Sequence, residues 1–292
     1  MTERKSKGTM FLAMAIFSSV GLFVRNIALP SAVIAVMRGL VGAALLLPLM
    51  RREAATTGAK GRGETPALLL SGVLMGVNWI LLFEAYRFTT VASATLVYYL
   101  EPTLLILFAV PVLGQRPGKA GWICCALALI GMVPLSGVLG GNGAVGFRGV
   151  LLAFGAAVLY TAVVLFNMRL KGMPPIRRTV LQLFIAGAVL VPYVLLQGGF
   201  QALFTADAKS LALLAVVCAV HTGLAYALWF TAVPHVAPQD AAILSYTDPV
   251  LAVVWSAVLL GESFGWAEAL GAVLILGSAL FYELWGRRKN KG

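Results

Sequence analysis

The sequence predicts an all-α integral membrane protein of ten transmembrane helices, arranged as two inverted five-helix repeats. Three observations carry that prediction: a composition too apolar for water, a one-sided distribution of basic residues, and a motif that recurs 147 positions further on. Of the 292 residues, 60% are hydrophobic and 11% charged, and the mean hydropathy is +0.93. Soluble domains are about 45–50% apolar and about 25% charged. A chain of this size cannot hide that much apolar surface from water, so lipid is its solvent.

A helix needs about 20 apolar residues to cross the hydrocarbon core. Runs of that length fall at 10–28, 32–50, 66–87, 91–111 and 117–138, then at 147–170, 176–197, 208–232, 238–260 and 266–286. The breaks between them are short and marked by Pro30, Arg116-Pro117-Gly118, Pro174-Pro175 and Pro234, which makes neighbouring spans antiparallel. The basic N-terminus before the first run imitates a secretory signal, but a second apolar run follows at once and Arg25 closes the first. An uncleaved first helix is expected.

Basic residues orient the spans. With both termini cytoplasmic, seventeen of the 22 Lys and Arg residues fall on inside segments. Arg25, Arg87, Arg148 and Lys209 fall outside, and Arg38 lies within a helix. This is the bias of an inner-membrane protein, and a wrong span count would scramble it. It also explains the net charge of +11 without nucleic acid. Cys124, Cys125 and Cys218 lie inside apolar runs with no metal-ligand spacing, so packing is their expected role and no metal is expected.

The repeat appears where YYLEP at 98–102 aligns with SYTDP at 245–249. At the same shift Gly114-Gln115 matches Gly261-Glu262, and Gly118 matches Gly265. Five spans per copy make the copies enter from opposite sides, an arrangement common among secondary transporters. The expected halves are 1–145 and 146–292.

These Pro102 and Pro249 motifs, the Gly-Gln/Glu pairs and the five-plus-five pattern resemble the drug/metabolite transporter superfamily, EamA type, over essentially the whole chain. Within it the sequence is similar to the YddG-type exporters of aromatic amino acids. The resemblance implies an inner-membrane exporter with a cavity between its repeats. One departure is Gln115, where the second copy has Glu262.

Polar groups at membrane depth are the candidate functional residues, since a charge there costs about 2.5–3.5 kcal/mol on insertion scales. Arg38, Glu101, Asp248 and Glu84 must therefore face a hydrated cavity or each other. Arg38 offers a planar two-pronged donor to a solute carboxylate; the competing role is an internal ion pair with Glu84 or Glu101. Glu101-Pro102 and Asp248-Pro249 mark kinks, because proline removes a backbone donor. Those kinks either hinge the helices or leave the acids to satisfy nearby backbone groups.

Asn78 can donate and accept toward a zwitterion. His221 can line the cavity, titrate near neutral pH, or serve as a hydrogen-bonded structural group. Trp79, Phe83, Tyr98, Tyr99, Tyr226 and Tyr246 cluster at the same depth and suit an aromatic solute, with Ser245 beside them. Trp122, Trp266, Tyr282 and Trp285 sit near helix ends as interfacial belt residues. Gly72 with Gly76, and Gly39 with Ala43, place small residues four apart for close helix packing.

Gly141, Gly143 and Gly146 spell a dinucleotide fingerprint, but with no strand before it the stretch is an outside connector. A nucleotide-binding loop and an HExxH metal motif are both missing from the sequence. The expected protein is a cofactor-free secondary transporter, not an enzyme, whose partners are lipid and an aromatic amino acid. A monomer suffices. Another small metabolite or drug is the alternative cargo, and a membrane-embedded enzyme the alternative from a different class.

Overall fold

In the computed structural model, residues 2–57, 65–113, 118–136, 143–170 and 172–289 are described. Among them no residue is in a strand, and nearly all are helical. Lipid offers no hydrogen bonds, so an apolar chain must satisfy its backbone within helices. Of the sequence features, Gly114-Gln115, Arg116, Pro117, Lys60, Arg62, Gly141, Lys171 and Lys291 lie outside the described residues.

The first apolar run forms α1 (Glu3–Ser18) and α2 (Val20–Arg25). The second and third form α3 (Ser31–Thr57) and α4 (Thr65–Phe88). The fourth is split into α5 (Val91–Tyr98) and α6 (Glu101–Leu113), and the fifth into α7 (Lys119–Ile130) and α8 (Met132–Leu135). Then come α9 (Gly143–Arg169), α10 (Pro175–Leu196) and the short α11 (Gln201–Thr205). The eighth run is α12 (Ala208–Cys218), a π-helical turn (Ala219–Leu224) and α13 (Ala225–Ala232). The ninth is α14 (Pro238–Ser245) and α15 (Thr247–Leu259), and the tenth α16 (Trp266–Lys289).

Seven described helical stretches are long and apolar enough to cross a membrane. Three shorter apolar ones, Gly121–Leu135, Ile243–Leu259 and Trp266–Tyr282, fall on the expected fifth, ninth and tenth runs. The chain is an all-α, multi-pass membrane protein. One expectation is corrected. Gly143 and Gly146 belong to α9 rather than to a connector, because the apolar sixth run extends its helix back to Gly143.

Sequence chemistry sets several ends. Thr90 caps α5 by accepting from the Ser93 N–H at 3.0 Å, and Pro175 opens α10, where its missing N–H costs nothing. Asp207 caps α12 in the same way, and the Ser210 hydroxyl and N–H hold its carboxyl below the usual carboxylate range. The Glu53 carboxylate accepts from the Ile176 and Arg177 N–H groups at 3.1 and 2.8 Å, tying the end of α3 to the start of α10.

Packing follows the small residues. The helix α10 lies against both α3 and α4, α4 against α9, α1 against α13 and α15, and α16 against α7. At Gly39 an added Cβ would sit 2.7 Å from the Gly187 nitrogen and the Leu183 carbonyl, so the two backbones touch there. Gly72 and Gly76 similarly admit Ile185 and Ala186 of α10. Buried Gln182 binds this junction: its amide donates to Ser71 Oγ at 2.7 Å and to Asn167 Oδ1 at 2.6 Å. Polar cross-links of that kind contribute about 0.6 kcal/mol on average in membrane bundles.

Candidate functional site

Both broken helices break at the same place in the repeat. The interruption between α5 and α6 covers Tyr99 and Leu100, and that between α14 and α15 falls on Tyr246, which is 147 residues after Tyr99. Each lies just before its proline. Pro249 has no N–H for the Ser245 carbonyl, and that carbonyl instead accepts from the Tyr99 hydroxyl at 3.3 Å. The same hydroxyl lies 2.8 Å from Asp248 Oδ2. One tyrosine from the first break thus satisfies the second.

The breaks border a cavity of about 740 Å³, within the roughly 300–1,000 Å³ usual for small-molecule sites. Arg38, Trp79, Tyr98, Tyr99, Glu101, Pro102, Tyr226, Ser245, Tyr246 and Asp248 all line it. Asn78, His221 and Pro249 do not. Asn78 is fully buried behind the wall, where its amide donates to the Ala156 carbonyl at 2.5 Å and its Oδ1 accepts from Tyr98 at 3.4 Å. It orients Tyr98 rather than facing the cavity. His221 is buried in the π-helical turn, with Nε2 3.0 Å from Ser19 Oγ, Nδ1 3.4 Å from the Val216 carbonyl, and Phe23 against its ring. Its polar atoms are taken by α1–α2 and its own helix.

Arg38 is 6% exposed. Its Nε donates to Thr222 Oγ1 at 3.1 Å, and its guanidinium lies 4.4 Å from the centre of the Trp79 ring. Thr222 in turn donates to the Val217 carbonyl five residues back, a bond available because the helix widens to a π turn there. The expected internal ion pair is absent: among the described residues no carboxylate pairs with Arg38. Glu84 instead lies 3.8 Å from Arg87 on a half-exposed surface. A flat aromatic face and one hydroxyl therefore fix Arg38, and among the described residues its remaining donors have no hydrogen-bond partner.

Aromatic rings form much of the remaining wall. Tyr98 and Tyr160 lie 5.5 Å apart, and Phe17 meets Tyr226 edge-on at 5.1 Å. Phe17, Tyr86, Tyr160 and Trp229, which are not among the residues expected from the sequence, also line the cavity. A mid-run aromatic such as Tyr160 carried the necessary signal. Tyr282, expected in an interfacial belt, lines the cavity instead. Trp122 and Trp266 are exposed, as a belt requires, and the side chain of Trp285 lies outside the described residues.

The EamA-like transporter family model matches residues 7–137 and again 147–283. The chain belongs to the EamA-like transporter family. Its relatives include the uncharacterized transporter YxxF of Bacillus subtilis, 24% identical over 91% of this chain and 85% of that one. The aromatic amino acid exporter YddG of Escherichia coli is 29% identical over 75% and 78% of the two chains. A probable amino-acid metabolite efflux pump of Salmonella typhimurium is 27% identical over 79% and 81%. A protein crystal structure 21% identical in sequence shares the fold, with a TM-score of 0.63 over 98% of this chain and 100% of that one.

Proposed function

We propose that this EamA-family protein is a secondary transporter that exports aromatic or hydrophobic amino acids across a bacterial inner membrane by alternating access. Its halves would be 1–145 and 146–292, ten spans in all, with both termini cytoplasmic. Support for the halves comes from the double match of the family model and from helix breaks 147 residues apart. Support for the cargo comes chiefly from one observation: a buried Arg38 on the wall of an aromatic cavity, with no carboxylate partner among the described residues.

In this reading Arg38 takes the solute carboxylate, and Tyr98, Tyr160 and Tyr226 pack its ring. Asp248 and Glu101 stand on the same wall, near the helix breaks that would hinge. A closed cavity excludes water and strengthens the contact to Arg38. The Salmonella relative's name favours a wider range that includes other amino-acid metabolites.

Proteoliposomes holding the purified chain are expected to exchange radiolabelled tryptophan or phenylalanine against an internal pool. If they carry an unrelated solute and neither aromatic amino acid, the assigned cargo is wrong.

A further inference from the structure

At the end of the bundle that carries Arg25, one carboxylate holds three runs together. The chain turns through left-handed Gly261, at φ +63°, and brings Glu262 back so that its N–H reaches the Ser256 carbonyl at 3.2 Å. The Glu262 side chain is 8% exposed. Its Oε1 accepts from Arg25, whose guanidinium also donates to the Thr89 carbonyl at 3.0 Å. Its Oε2 accepts from the Val91 N–H at 2.9 Å and from the Ser256 hydroxyl. Charge-assisted bonds like these are among the strongest polar contacts available to a protein. At the same end α5 packs against α15.

Among the described residues the opposite end shows an exposed ion pair of Lys7 with Asp240 at 2.9 Å, and no buried carboxylate of this kind. Moved by the 147-residue repeat, Glu262 becomes Gln115, Arg25 becomes Gly172, Ser256 becomes Ala109, and Val91 becomes Pro238. Each change removes what the latch uses: the carboxylate, the cation, the hydroxyl and the backbone N–H. Among the described residues no comparable packing joins α6 to α14, the equivalents of α15 and α5. Of the cavity residues, Leu105, Ile106, Trp229 and Tyr282 sit in the halves of their helical runs nearer that end, and Val20, Leu82, Tyr86 and Thr95 in the halves nearer the Arg25 end.

We propose that Glu262 is the latch of a gate at the Arg25 end, and that this one-sided latch sets the resting state of the transporter. The cavity then rests closed at the Arg25 end and accessible from the Lys7 end. Solute leaves past Arg25 only when the carboxylate lets go of both Arg25 and α5. The proposal rests on the transporter reading above, and its test separates the two.

Spin labels at Ala28→Cys and Ser263→Cys, both exposed positions at the Arg25 end, report the gate by pulsed electron resonance. The labels are placed in full-length protein whose three native cysteines are replaced by alanine. The parent is expected to give one short distance. Glu262→Gln should raise the fraction of longer distances about tenfold, the effect of weakening bonds to a charged group. Arg25→Gln, which leaves the bonds to Val91 and Ser256, should produce a smaller rise, and it decides the matter if the Glu262 variant does not fold. Lys7→Ala breaks an exposed ion pair to Asp240 at the far end and should change nothing.

Unchanged distances in the Glu262 and Arg25 variants overturn the latch, as does an equal shift with Lys7→Ala. A shifted distance in a protein that carries no solute upholds the latch and removes the transport reading instead.

Discussion

Arg38→Met is expected to weaken tryptophan binding roughly ten- to a hundredfold, since a hydrogen bond to a charged group contributes about 1.5–3 kcal/mol. Methionine keeps much of the stem that packs on Trp79 but loses the guanidinium. Thr222 remains satisfied, because its hydroxyl already donates to the Val217 carbonyl. The same substitution should raise the thermal stability of the solute-free protein. A guanidinium at membrane depth without a carboxylate carries a desolvation penalty that methionine does not. Weaker binding with higher stability is the signature of a group retained for function. Arg38→Lys should fall between, since an ammonium keeps the charge but not the planar fork. Titration calorimetry and thermal unfolding of the three proteins check both halves of this result. A simple loss of fold in Arg38→Met would contradict it.

Gly39→Val should have the largest structural effect. The Cβ of residue 39 would lie 2.7 Å from backbone atoms of α10, and backbone cannot rotate away as a flexible side chain can. The helices must separate, which removes contacts along a seam where Gly187 in turn admits Leu40. Overpacking of this kind costs about 1–3 kcal/mol and occasionally more. Gly8→Ala is the control, because a Cβ there meets nothing within 4 Å. Unfolding curves in mixed micelles should show a clear loss for the first and none for the second. Equal curves would mean that α3 and α10 do not approach as closely as described.

Much of this architecture was legible because lipid narrows the choices. Apolar runs must become helices, and prolines at 102 and 249 must disturb them. The breaks at Tyr99 and Tyr246 follow from that chemistry. What stayed hidden depends on rotation about helix axes and on distances between helices. Asn78 and Trp79 are neighbours, but successive side chains on a helix point about 100° apart. Only Trp79 meets the cavity, and Asn78 turns to the Ala156 carbonyl of α9.

The partner of Arg38 could not be read from spacing either, since Thr222 belongs to a π turn that follows no local signal in the stretch AVHTGL. Glu262 shows the opposite case. Its Gly-Glu pair is a repeated motif, yet its partners Arg25, Val91 and Ser256 lie 237, 171 and 6 residues away along the chain and emerge only once the helices pack.

The central claim is that a carboxylate-bearing aromatic solute binds at an otherwise unpaired guanidinium. It is tested most directly by comparing tryptophan with its deaminated and decarboxylated analogues, indole-3-propionate and tryptamine, in one thermal-shift titration. A ligand stabilises in proportion to the logarithm of its concentration over its dissociation constant. Tryptophan and indole-3-propionate are expected to stabilise the protein at concentrations where tryptamine, at least about tenfold weaker, does not. Tryptamine stabilising as well as tryptophan, unaffected by Arg38→Met, would contradict the account.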